Sequence, residues 1–178
     1  MARTKSTEMS ELPLDAAGRR RLPPLLRRAW YSLNQAFRRR IAHSGLTPDQ
    51  FTILRLLLEG SKEGLTQREI GAQMCSDPNT IASLLDRMQS AGLLERCAHE
   101  SDRRAHRVRM LPKGRKLYSE LRLVAVSLQS QILSVLSDER REQFLADLEL
   151  IAEAGQACLS EKSAKREPST KSEVRSAK

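Results

Sequence analysis

Aromatic residues make up only 3% of the 178-residue sequence: one Trp, two Tyr and three Phe. A platform for stacking single-stranded bases needs a row of exposed rings, so that class of binder is disfavoured. Cysteine is also sparse. Cys75, Cys97 and Cys158 are odd in number and widely spaced. That argues against a disulfide framework or a zinc site and suits a reducing cytoplasm. No apolar run approaches the roughly 20 residues that a membrane span needs. The N-terminus lacks the apolar stretch of a secretion signal. The expected localisation is therefore cytoplasmic, with no membrane partner. Catalytic patterns are missing too: there is no Gly-rich phosphate loop, no His-x-x-x-His pair and no Gly-x-Ser-x-Gly elbow. His43, His99 and His106 are scattered. No catalytic residue, metal ligand or cofactor is assigned, and the chain is not read as an enzyme. Negative charge is the last shortage. Lys and Arg number 31 against 22 Asp and Glu, a formal charge of +9. The excess fits a polyanionic partner, although a merely soluble basic protein would show it as well.

What the chain has is helical periodicity. Residues 1–21 read as a flexible basic arm ending in Arg19, Arg20 and Arg21. Pro23 and Pro24 open a long helix, since proline is tolerated in a first turn. Leu26, Ala29, Leu33, Phe37 and Ile41 predict one buried face on it, and Gly45 closes it. Thr47, Pro48 and Gln50 spell a capping box for a second helix, with Leu46 and Phe51 as its hydrophobic staple. Phe51, Leu54 and Leu58 continue its apolar face, and Gly60 ends it.

The stretch 65–111 reads as helix, turn, helix and basic hairpin. Thr66 and Glu69 repeat the capping-box pattern. Ser76, Asp77 and Pro78 make the turn into a helix that buries Ile81, Leu84, Leu85 and Met88 and stops at Gly92. Two strands follow around the loop Ser101-Asp102-Arg103-Arg104. In the return strand His106, Val108 and Met110 alternate with Arg107 and Arg109, which puts both arginines on one basic face. From Arg87 to Lys116 there are nine Lys or Arg residues against Glu95, Glu100 and Asp102. A charge run is usually a solvated surface. Beside a helix sized for a major groove, it points to duplex DNA. Base reading would fall to Pro78, Asn79, Ala82 and Ser83 near the start of the second helix. Arg104 at the hairpin tip would suit a narrow minor groove.

After Pro112 a long helix carries Leu117, Leu121, Val124, Leu128, Ile132 and Val135, close to a heptad seam and suited to a helix–helix interface. Ser137 caps one more helix with a Phe144, Leu148, Ile151 stripe. Residues 159–178 turn to Lys, Ser and Glu without apolar pattern and read as a disordered tail. The expected fold class is mainly α with a small β-hairpin wing: a winged helix–turn–helix attached to a helical dimerisation module.

Four motifs occur together and in order: Thr66-Gln67-Arg68-Glu69-Ile70-Gly71, Gly92-Leu93-Leu94-Glu95-Arg96, Asp102-Arg103-Arg104-Ala105 and Leu111-Pro112-Lys113-Gly114. In these the chain resembles the MarR family of bacterial winged helix–turn–helix regulators, over roughly residues 22–158. The resemblance implies a DNA-binding part at about 47–111 and dimerisation helices at about 22–44 and 112–158. It implies a homodimer on a pseudo-palindromic double-stranded operator, with a recognition helix in each major groove and a wing in each minor groove. Asp102 matches the acid that braces the wing and Arg104 the minor-groove arginine, with Arg103 and Arg107 in the same basic wing. Thr80 and Arg87 match phosphate-contacting positions. Larger polar residues are usual in the family where this chain has Ala82 and Ser83, so base readout there is thin.

The resemblance also implies a repressor released by a small aromatic carboxylate or phenolic effector. Trp30, Tyr31, Phe51 and Arg55 fall on the corresponding helices, and an arginine near rings can hold a carboxylate. The plainer reading makes Trp30 and Phe51 ordinary core. Two alternatives for the whole chain remain open at this point: a non-specific or architectural DNA-binding protein, and a cysteine-based redox-sensing regulator of the same fold.

Overall fold

The computed structural model describes residues 13, 16, 18–98 and 106–164. Helix α1 is Leu22–Ile41, begun by the Pro23-Pro24 pair and followed by a 3-10 turn, Ala42–Ser44. Helix α2 is Pro48–Glu59. Its capping box is complete: the Gln50 N–H donates to Thr47 Oγ1 and the Thr47 N–H donates to Gln50 Oε1. A two-residue strand β1, Leu65–Thr66, precedes helix α3, Gln67–Gln73. Thr66 and Glu69 form the second capping box. Helix α4 is Pro78–Ser90, β2 is Leu94–Ala98, β3 is His106–Met110, α5 is Pro112–Leu133 and α6 is Asp138–Ala164.

The sheet differs from a simple hairpin. It has three antiparallel strands in the order β1-β3-β2, with Leu65 opposite Val108 and Leu94 opposite Met110. β1 escapes a sequence reading because two residues carry no alternation, and its partner lies more than forty positions later.

The described residues divide into two units, one ending at Gln129 and the other beginning at Ser130. The first holds the core. Ile41, Ile53, Leu54, Ile70, Ile81, Leu85, Met88, Leu94 and Val108 are fully buried in it. Phe51 lies between Phe37, edge-on at 5.0 Å, and Tyr118, stacked at 5.1 Å. Burying an aliphatic side chain of this size is worth about 1.5–3 kcal/mol, so α2, α3 and α4 are held together chiefly by these contacts. The α4 face is as the periodicity predicts, with Ile81, Leu84, Leu85 and Met88 all buried.

Several apolar expectations need correction. On α1 only Phe37 and Ile41 are buried; Leu26 and Leu33 are exposed. On α2 it is Leu57, not Leu58, that joins Phe51 and Leu54 inside. The α5 seam divides. Leu121 and Leu128 are buried, whereas Ile132 is exposed and Val135, beyond the helix end, is 84% exposed. In the second unit α6 leaves Phe144 and Ile151 exposed. Periodicity marks which side of a helix is apolar, but not whether the cover comes from the same chain. The helix α6 also runs on to Ala164, past the point where a structureless tail was expected. No helix among the described residues is long and apolar enough to cross a membrane.

Candidate nucleic-acid interface

The α3–turn–α4 segment is fastened locally. After α3 the backbone turns back through hydrogen bonds from Met74 N to Ile70 O and from Ser76 N to Gly71 O. Cys75 sits in this turn with a left-handed backbone, φ +48°. Asp77 then caps α4. Its Oδ1 accepts from the N–H groups of Asn79 and Thr80, at 3.1 and 2.9 Å, and its Oδ2 accepts the Thr80 hydroxyl at 2.6 Å. The Thr80 hydroxyl, followed by its backbone N–H, holds the Asp77 carboxyl below its ordinary value. Gln67 on α3 reaches across and donates to the Pro78 carbonyl at 3.2 Å.

Two further clamps fix α4 from other elements. Arg96 on β2 pairs with Asp86 at 2.7 Å and donates to Gln89 Oε1 at 2.7 Å. Lys113, at the start of α5, donates to the carbonyl of Ala91, the residue that ends α4. A cation there complements the negative end of the helix dipole. Gly114 lies so close behind that a Cβ on it would stand 2.2 Å from the Leu93 carbonyl oxygen. Sequence inspection missed Arg96, Lys113 and Gln67 as fasteners. Their partners lie 7, 22 and 11 positions away on other elements, outside any pattern local to one helix or strand.

The expected base-reading residues fall where the sequence puts them. Pro78, Asn79, Thr80 and Ser83 are exposed on α4 and Ala82 is half-buried. Arg87 is exposed one turn further on. Its Nε donates to the Ser83 carbonyl and its Nη2 to the Ser83 hydroxyl. Arg107 and Arg109 behave differently from the basic face expected of β3. Arg107 is half-buried, and its Nη1 donates to the Gly64 carbonyl at 2.9 Å. Arg109 Nε donates to the Glu63 carbonyl at 3.0 Å. Both side chains brace the turn before β1. Asp102, Arg103 and Arg104 lie outside the described residues.

The four candidate effector residues differ in exposure. Phe51 is core. Trp30 and Tyr31 are 62% and 59% exposed, and Arg55 pairs with Glu59 at 2.8 Å. Trp30 is therefore not core in this chain either. Cys75 and Cys158 are exposed and Cys97 is half-buried; none is in a disulfide. Among the described residues no group of three or more His, Cys, Asp or Glu is placed to hold a metal ion.

Comparison with known proteins gives consistent matches. The MarR family profile matches residues 46–106. The regulator TtmR of Methylorubrum extorquens (strain PA1) is 32% identical over 93 residues, 52% of this chain and 47% of its own length. This chain therefore spans about half of that relative. MhqR of Bacillus subtilis (strain 168) is 30% identical over 118 residues, 66% of this chain and 80% of its own. Among solved structures, the repressor CouR bound to a 23-mer DNA duplex superposes with a TM-score of 0.69. It is 29% identical, over 80% of this chain and 99% of that one. CouR from Rhodococcus jostii RHA1 bound to p-coumaroyl-CoA gives a TM-score of 0.66 at 27% identity, over 72% and 89%.

Proposed function

Because the chain belongs to the MarR family, we propose that it is a sequence-specific transcriptional repressor, binding an operator as a homodimer. The observation that carries this reading is the state of α4. Its apolar face is buried, while Pro78, Asn79, Thr80 and Ser83 on the other side of its N-terminal half are exposed. It is fastened to α3, β2 and α5 by Gln67, Arg96 and Lys113. A helix so held is presented rigidly, and B-DNA's major groove, about 12 Å wide, admits it. CouR, a relative of the same fold, has been seen on a DNA duplex.

In this reading Pro78, Asn79, Ala82 and Ser83 approach base edges, and Thr80 and Arg87 approach phosphates. The Thr80 hydroxyl donates a hydrogen bond to Asp77, so its part is played through the backbone or after that bond breaks. Asp102, Arg103 and Arg104 would supply the wing's contacts with DNA, with Arg104 entering the minor groove. Arg107 moves from the DNA-contacting set to the bracing set.

Dimerisation answers the uncovered apolar residues. In the first unit these include Leu22, Leu26, Trp30 and Leu33 on α1; in the second they include Phe144 and Ile151 on α6. A two-fold dimer would place two α4 helices on a pseudo-palindrome about one helical turn apart. Trp30, Tyr31 and Arg55 would then meet partner surface or a small aromatic acid or phenol, and binding of that effector would release the DNA. CouR has been seen with an aromatic acyl-CoA.

The test is equilibrium binding of the full chain to fragments of its own genome, with excess unrelated duplex as competitor. Retention of one or a few fragments by a dimer, measured by sedimentation, is the expected result. Equal loss of all fragments to competitor would make the protein a non-specific or architectural binder instead.

A further inference from the structure

The polar side chains on the exposed face of α4 are mostly committed within the fold. Pro78 has no N–H, and its carbonyl already accepts from Gln67. The Thr80 hydroxyl donates to Asp77. Ala82 has no polar atom. The Ser83 hydroxyl accepts from Arg87. Asp86 and Gln89 are taken up by Arg96. Asn79 differs. Its backbone N–H is bonded to Asp77, while its side-chain amide is exposed and holds no partner among the described residues. It stands at the second helical position, one turn before Ser83 and two before Arg87, on the same stripe.

Building on the proposed DNA-binding role, we infer that Asn79 is the residue that sets base specificity in each half-site, and that the base it reads is adenine. The chemistry is directional. An amide carries a donor and an acceptor side by side. In the major groove adenine alone pairs the N7 acceptor with an N6–H donor on one base, and Asn meets both at once. Guanine shows two acceptors there and cytosine a single donor, so neither fits the amide as well. On the helix, the exposed neighbours Thr80 and Ser83 already hold a bond within the fold, and neither presents a donor and an acceptor side by side as an amide does. Direct reading therefore narrows to one A·T pair per half-site, with the remaining affinity drawn from phosphates and groove shape.

The experiment is selection of duplexes from a random pool by the purified full chain, repeated with Asn79→Ala and Asn79→Asp. Wild type should enrich a two-fold pattern with one fixed adenine in each half. Asn79→Ala should lose preference at that position alone. Asn79→Asp, which keeps an acceptor but no donor, should shift it toward cytosine. Replacing the adenine by 7-deazaadenine should weaken wild-type binding about tenfold and leave Asn79→Ala unaffected. Circular dichroism of both variants should match wild type, since the site is exposed. An unchanged pattern with Asn79→Ala, or no effect of 7-deazaadenine, would overturn the assignment. Failure of wild type to enrich any sequence would overturn the DNA-reading role itself, a result distinguishable from the first.

Discussion

Arg107 Nη1 donates a 2.9 Å hydrogen bond to the carbonyl of Gly64, 43 positions earlier in the chain. The bond ties strand β3 of the wing to the turn that launches β1 and α3. It is reinforced from both sides: Thr66 pairs with Arg107 in the sheet, and Arg109 holds the Glu63 carbonyl. An arginine that its sequence position assigns to the basic wing face thus joins the wing to the helix–turn–helix. Charge alone does not distinguish the two uses; the position of the acceptor does.

Arg107→Ala should cost about 1.5–3 kcal/mol of stability, the range for a hydrogen bond from a charged donor. It should also weaken DNA binding without changing how steeply affinity falls with salt. Removing a phosphate contact would instead lower that slope by roughly one. Arg107→Lys, which keeps a donor, should recover part of the stability. Titration at several salt concentrations, with thermal unfolding alongside, separates the outcomes. A reduced slope would return Arg107 to the DNA-contacting set.

Gly64→Ala should be among the most damaging single changes. The residue has φ +93°, and a Cβ would lie 2.4 Å from the Val108 carbonyl oxygen. Gly114→Ala meets the Leu93 carbonyl oxygen at 2.2 Å without the backbone strain. Each should lose on the order of 2–4 kcal/mol, as expected where backbone must move to make room. Denaturant unfolding checks this; a loss below about 0.5 kcal/mol, the size of an ordinary surface change, would show that the turn or the α4–α5 joint yields easily.

Asp77→Ala should lower the melting temperature at neutral pH by removing the α4 cap. The carboxyl is held below its ordinary value of 3.8, chiefly by the Thr80 hydroxyl. A depressed folded pKa contributes stability above the unfolded value and loses it as pH falls through the folded one. The gap between wild type and variant should therefore narrow below pH 3.8. A gap that stays constant on acidification would mean that the Asp77 charge takes no part.

The helices and both capping boxes were legible because each is encoded within about four residues: Thr47 with Gln50, Thr66 with Glu69. The α4 core face was legible for the same reason. What escaped was long-range. Nothing near Arg107 in sequence marks Gly64 as its acceptor, and nothing near Lys113 marks Ala91. The first helix shows another limit. Its apolar stripe was visible, but whether Leu26 and Leu33 are covered depends on a surface that the described residues do not supply. The exposure of Pro78, Asn79, Thr80 and Ser83 on α4 was legible from helical spacing; the hydrogen bonds that Thr80 and Ser83 make within the fold were not.

Arg104→Ala should weaken operator binding by ~1–3 kcal/mol and leave the dimer intact. Gel-shift affinity at matched salt, together with sedimentation, tests the minor-groove role. Unchanged affinity would remove Arg104 from the groove.

The most direct test of the account is footprinting of the full chain on a duplex that it selects. Protection of two symmetric half-sites about one helical turn apart, with each major-groove edge shielded, is the expected result. Even protection along the whole duplex, or none at salt concentrations where the protein remains dimeric, would contradict it.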